Sequence, residues 1–88
     1  MSYYPKIKTV KPITDKRIVV TFENDIKKIY DCSPLLKQES FRPLANDTLF
    51  NCIKVDLGGC GISWNEEIDL SESELWLNGI SAEQTHTL

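Results

Sequence analysis

The hexapeptide Arg17-Ile18-Val19-Val20-Thr21-Phe22 constrains this chain more than any other stretch. Its run of β-branched side chains, stiff at χ1, suits a pleated strand better than a helix. With a period of two, Ile18, Val20 and Phe22 share one face. Glu23-Asn24-Asp25 follows, and Asn and Asp tolerate the backbone of a tight turn. Ile26 to Asp31 then returns with Ile26 and Tyr30 on one face. Residues 17–31 therefore read as a β-hairpin, with Arg17, Thr21 and either Lys27 or Lys28 on its outward side.

Other segments fall into place around this hairpin. Ile7-Lys8-Thr9-Val10 is a short candidate strand, closed by Lys11-Pro12 because the residue before a proline is restricted. Ser33-Pro34-Leu35-Leu36 reads as a helix start, with Ser33 as cap and Pro34 in the first turn. Short helical turns are expected around Pro43 to Ala45 and from a cap at Asp47 to Phe50, with Phe41, Leu44, Leu49 and Phe50 covering the sheet. Such short helices are held only by packing. In Ile53-Lys54-Val55-Asp56-Leu57 apolar and charged residues alternate, the pattern of a half-buried strand. Gly58 to Gly61 would turn the chain, and Ile62-Ser63-Trp64 would return as a second hairpin. Ser71 and Glu74 have capping-box spacing ahead of Leu75-Trp76-Leu77, Asp69, Glu72 and Glu74 suit a helix N-terminus, and Gly79 is placed to end the helix. Two antiparallel hairpins with short helices and no βαβ alternation predict a small single-domain α+β fold with a mostly antiparallel sheet.

Eighty-eight residues with 41% hydrophobic content allow one domain. It is read over residues 1–80, with 81–88 as an unstructured tail lacking periodicity. A chain of this size buries only about 60–65% of its unfolded surface, which leaves little room for a walled reaction chamber. The net charge is −3, but it is split: residues 1–30 carry +4 and residues 31–88 carry −7. An overall acidic chain lacks the usual footprint of a dedicated nucleic-acid binder. The basic first half is nonetheless a candidate contact surface, with Lys8, Arg17, Lys27 and Lys28 as the residues expected to meet a partner.

Cys32, Cys52 and Cys60 are odd in number and contain no Cys-x-x-Cys, and the one histidine, His86, lies near the C-terminus. No zinc set or disulfide framework follows from such spacing. The N-terminal residues lack an apolar core typical of a secretory signal, and no run reaches the roughly 20 apolar residues of a membrane span. The expectation is a cytoplasmic protein with reduced thiols, no metal, no cofactor and no membrane association.

Candidate chemistry is sparse. Gly58-Gly59-Cys60-Gly61 is glycine-rich, but a phosphate cradle opens into a helix, whereas Ile62-Ser63-Trp64 is strand-like. A triad would need its base held rigidly, which a tail His86 does not offer. Asp47, Asp56 and Asp69 have structural readings, and Asp31 has only a role in turning the chain before Ser33-Pro34. Trp64 and Trp76 fall at core-facing positions and so are poor candidates for stacking nucleic-acid bases. No catalytic residue is assigned.

The succession Val10-Lys11-Pro12, Phe22-Glu23-Asn24-Asp25, Tyr30-Asp31, Phe41-x-x-Leu44, Phe50, Ile53-Lys54-Val55-Asp56 and Ile62-Ser63-Trp64 followed by Ile68-Asp69-Leu70 resembles a family of small bacterial proteins, domain of unknown function 2442. The likeness spans about residues 5–77 and is most specific from Trp64 to Leu70, leading into Leu75-Trp76. Asp25 departs from it, standing where the family usually has Gly, so the hairpin is expected to turn through Asn24. The resemblance implies a small α+β domain and brings no catalytic residues. It also implies a gene layout similar to toxin–antitoxin pairs. Some longer members add a C-terminal helix-turn-helix, which residues 1–88 do not supply, and some relatives carry a molybdenum-cofactor label.

The leading expectation is a non-enzymatic protein-interaction module, the partner or antitoxin-like member of a small two-gene pair, acting as a monomer or homodimer. The alternative is regulatory nucleic-acid binding through the basic first hairpin, recognisable by steep salt dependence. A small-ligand or molybdenum-cofactor-related protein, using Asp31 or Asp69 near the glycine-rich turn, is the third reading.

Overall fold

The computed structural model describes residues 4–82. Strands β1 (Ile7–Ile13), β2 (Arg17–Phe22) and β3 (Lys27–Asp31) form an antiparallel meander. Two 3-10 turns, Ser33–Lys37 and Glu39–Ala45, lead to helix α1 (Asp47–Phe50). Strand β4 (Lys54–Val55), a 3-10 turn (Leu57–Gly59), β5 (Gly61–Ser63) and β6 (Asp69–Ser71) follow, then helix α2 (Glu72–Asn78) and β7 (Ile80–Ser81). The α+β class and the antiparallel pairing hold. The strands divide, however, into a four-stranded sheet ordered β1-β2-β3-β7 and a three-stranded sheet ordered β4-β5-β6.

The first strand is longer than its sequence suggested, because Pro12 does not end it but pairs with Ile18. β1 lies at the sheet edge, where a missing N–H costs no ladder bond on the open side. Asp15 and Lys16, both with positive φ, make the β1–β2 turn. In the next turn Asp25 itself takes the left-handed conformation (φ 68), in place of the expected passage through Asn24. The Asn24 side chain instead accepts from the Ile26 N–H at 3.1 Å.

Ser33 does not cap a helix. Cys32 occupies the cap position of a 3-10 turn without a side-chain bond, while the Ser33 N–H donates to Asp31 Oδ1 at 2.9 Å. Asp31 thereby gains the local role the sequence left open. Asn46, rather than Asp47, caps α1, accepting from the Leu49 N–H. The alternating run 53–57 yields only a two-residue strand. Leu57 leaves it and is wholly exposed, because Gly58 and Gly59, both with positive φ, start the turn one residue earlier. Ser71 caps α2 as expected, accepting from Glu74 N–H at 3.2 Å, although the short strand β6 before it was not foreseen.

The core lies between the two sheets and the helical segments. Ile18, Val20 and Phe22 of β2 are fully buried and meet Leu44, Ile62 and Leu75 in one cluster. Each such side chain contributes about 1.5–3 kcal/mol by leaving water. Trp64 is buried, stacks on Phe50 at 6.1 Å and donates its indole N–H to the Phe50 carbonyl at 3.1 Å. Trp76 meets Phe22 edge-on at 5.0 Å. Both tryptophans are therefore structural, as their positions implied. Beyond Gly79, Ser81 pairs with Lys28 in β7, so ordered structure reaches into the stretch read as tail; 83–88 lie outside the described residues.

Candidate functional site

Strand register decides which residues of the four-stranded sheet share a face. Directly opposed residues in antiparallel strands point the same way. Ile7 with Phe22, Pro12 with Ile18 and Tyr30, and Val10 with Val20, Lys28 and Ser81 form the inner rows. Lys11, Val19, Ile29 and Ile80 form one continuous outer row across all four strands. A second outer row joins Thr9, Thr21 and Lys27, and a third joins Ile13, Arg17 and Asp31. None of Ile13, Val19 or Ile29 packs against the core cluster, and Ile80 is 53% exposed. The outer face thus has an apolar centre with three cations and one carboxylate around it. An open groove shares Arg17, Ile29, Asp31 and Ile80 with this face and is also lined by Pro34 and Leu35.

The four residues singled out from the sequence do not form one surface. Lys27 stands on the outer face and is exposed. Arg17 stands on it too, with its guanidinium donating to the Thr14 carbonyl (3.2 Å) and hydroxyl (3.3 Å). Lys8 falls at the irregularity between Ile7 and Thr9 and pairs with Asp25 at 3.1 Å. Lys28 is opposite Val20, on the inner side, with its ammonium 4.1 Å from the Trp76 ring centroid and bonded to the Trp76 carbonyl. It is committed to joining β3 to α2. The sequence reading left either Lys27 or Lys28 outside; the register places Lys27 there, in keeping with Lys28 sharing the face of Tyr30 at a period of two. Lys11, not singled out from the sequence, joins the outer row because β1 continues past it.

Asp31 and Asp69, the carboxylates considered for ligand chemistry, belong to different sheets. Gly58 to Gly61 leads into β5 rather than into a helix, so it is a turn. A second open depression, lined by Lys54, Asp56, Leu57, Ser63, Glu66 and Glu67, lies beside the three-stranded sheet, where Ser63 donates to Asp56 Oδ1 at 2.7 Å. Among the described residues, no helix is long and apolar enough to cross a membrane.

No curated protein and no solved structure matches the chain. A family model does, the one described as protein of unknown function (DUF2442), over residues 7–81. That span covers every strand and both helices of the fold just described, and the chain belongs to this family.

Proposed function

We propose that this chain is a non-enzymatic protein-interaction module that docks one small protein partner on the outer face of its four-stranded sheet. The observation that carries the reading is the row Lys11–Val19–Ile29–Ile80, whose three apolar members cross β2, β3 and β7 without covering the core and whose β1 end is a cation. Exposed apolar patches rimmed by polar groups commonly mark interaction sites. Lys11, Lys27 and Arg17 outnumber Asp31 at this rim, so the complementary partner presents apolar side chains inside an acidic border. Rim charges of this kind steer encounter and set salt dependence, while the centre supplies the affinity. These outer rows carry no aromatic side chain, which favours a protein over a single-stranded nucleic acid read by stacking. The expected setting is the bacterial cytoplasm, with the partner encoded beside this chain in a two-gene, antitoxin-like arrangement.

The test is co-expression with the neighbouring gene product, followed by affinity measurement on the purified pair. Lys11→Glu/Lys27→Glu should weaken binding by about tenfold or more, and Ile29→Asp should weaken it further. Lys54→Glu, on the other sheet, should leave it unchanged. Unaltered binding by both outer-face variants would refute the surface assignment. Retardation of duplex or single-stranded DNA at low salt, abolished by the same charge reversals, would replace the protein partner with nucleic acid.

A further inference from the structure

The two sheets carry patches of opposite sign, each with an apolar centre. On the outer face of the four-stranded sheet, Lys11, Arg17 and Lys27 stand with Asp31 around Val19, Ile29 and Ile80, three cations to one carboxylate. Beside the three-stranded sheet the ratio is reversed: Asp56, Glu66 and Glu67 share an open depression with Lys54 and Leu57. None of these eight charged side chains forms an ion pair within the chain among the described residues. Shape follows sign. Leu57 is wholly exposed, further out than any other large hydrophobic side chain among the described residues. Its turn is fixed, because the Gly59 N–H donates to the Asp56 carbonyl and the Asp56 N–H to the Gly61 carbonyl, each at 2.9 Å. A side chain carried on fixed backbone loses little freedom on docking. The groove lined by Ile29, Pro34, Leu35 and Ile80 has a volume of about 400 Å³, ample for one leucine side chain.

We propose that the outer face of the four-stranded sheet docks a second copy of this chain, whose Leu57 enters that groove while its Asp56, Glu66 and Glu67 face Arg17, Lys11 and Lys27. An apolar side chain inside an acidic border is what this face asks of an occupant, and the chain itself carries one. The pairing rests on the docking face proposed above and gives it a second occupant, so a docked copy and the small protein partner exclude each other. Leu57 and the groove belong to different surfaces, which makes the contact heterologous. A copy that accepts Leu57 still offers its own, and association runs head to tail into open chains unless the rotation closes a ring. The centre of the contact is one side chain and its ion pairs are exposed, so assembly is weak, concentration-dependent and loosened by salt. The partner, by occupying the face, would take such chains apart.

The experiment uses the purified full chain alone, in sedimentation velocity over a wide range of concentration at low and at high salt. The weight-average mass should rise with concentration and fall back toward that of one chain as salt is added. Leu57→Asp removes the inserted side chain and Ile80→Asp spoils the groove, and each should weaken self-association by about tenfold or more. Mixing the two variants restores one intact contact, so they should form a one-to-one dimer that grows no further. Should Ile80→Asp disturb β7, Lys11→Glu/Lys27→Glu takes its place in the mixture. A native chain that stays single at every concentration would overturn the proposal. So would self-association indifferent to Leu57→Asp, or a mixture that forms no dimer. Because no second gene product is present, these outcomes are separate from those of the partner test: outer-face variants that weaken partner binding but not self-association would sink this inference and leave the partner reading standing.

Discussion

The Lys28 ammonium stands 4.1 Å from the centroid of the Trp76 ring and donates to the carbonyl oxygen of the same residue. This pair joins β3 to α2, and the ring continues the contact inward, edge-on to Phe22 at 5.0 Å. A lysine one residue from the exposed Lys27 is thus part of the packing, and the two neighbours do opposite work.

That contrast is measurable. Lys28→Ala removes a partly desolvated cation–π contact and one hydrogen bond, and should lower unfolding free energy by about 1–2 kcal/mol. Lys27→Ala, on the outer face, should stay within about 0.5 kcal/mol of the native chain. Urea unfolding of both variants decides, and equal losses would mean that Lys28 is not held against α2.

How much of this was legible beforehand follows from the range of each interaction. The hairpin from Arg17 to Asp31 was, because β-branched residues and an Asn-Asp turn are local signals. So were the cap at Ser71 and the core roles of Trp64 and Trp76. The choice between Lys27 and Lys28 was left open although alternation decides it: with Tyr30 inward, a period of two puts Lys28 on the inner face and Lys27 outside. Pro12 in β1 was misread because a proline marks a boundary unless the strand has a free edge, and edges are a property of the assembled sheet. Leu57 followed perfect alternation and still left the strand, because the turn glycines set where pairing stops. The Lys6 ammonium meets Cys60 Sγ and Glu72 Oε1, on residues 54 and 66 positions away, with no local pattern to announce either contact.

Two buried acids make stability depend on alkaline pH. Burial, with the Asp31 charge behind it, raises Cys32 from 9.0 to about 12. Burial first, then the hydrogen bond to Glu74 at 2.8 Å, raises Tyr30 well above 10.0. Both are neutral in the folded chain at pH values where the unfolded chain has begun to ionise them. Their contribution is therefore complete below about pH 9 and declines as pH rises toward the folded values. The unfolding free energy from urea titrations should fall between about pH 9 and 11, by about 1 kcal/mol per pH unit once the unfolded thiol ionises. Cys32→Ala should flatten the lower part of that decline while lowering stability at every pH through the cavity it leaves. A native profile flat over this window would contradict the burial of both groups.

The two glycines of the turn before β5 should respond differently to the same substitution. Gly58 has φ +82 and Gly59 has φ +74, so alanine at either meets the left-handed penalty of about 1–2 kcal/mol. At Gly58 the added methyl would find only Cys60 Sγ, 3.8 Å away, so Gly58→Ala should cost that penalty and little else. At Gly59 it would stand 2.7 Å from the Ile7 carbonyl oxygen and 3.1 Å from the Ile7 nitrogen. Both atoms are backbone of β1 and cannot rotate away, so the turn must move off the strand. Gly59→Ala should then cost about 3 kcal/mol or more in urea unfolding. Equal stability losses for the two variants would show that the turn does not press on Ile7.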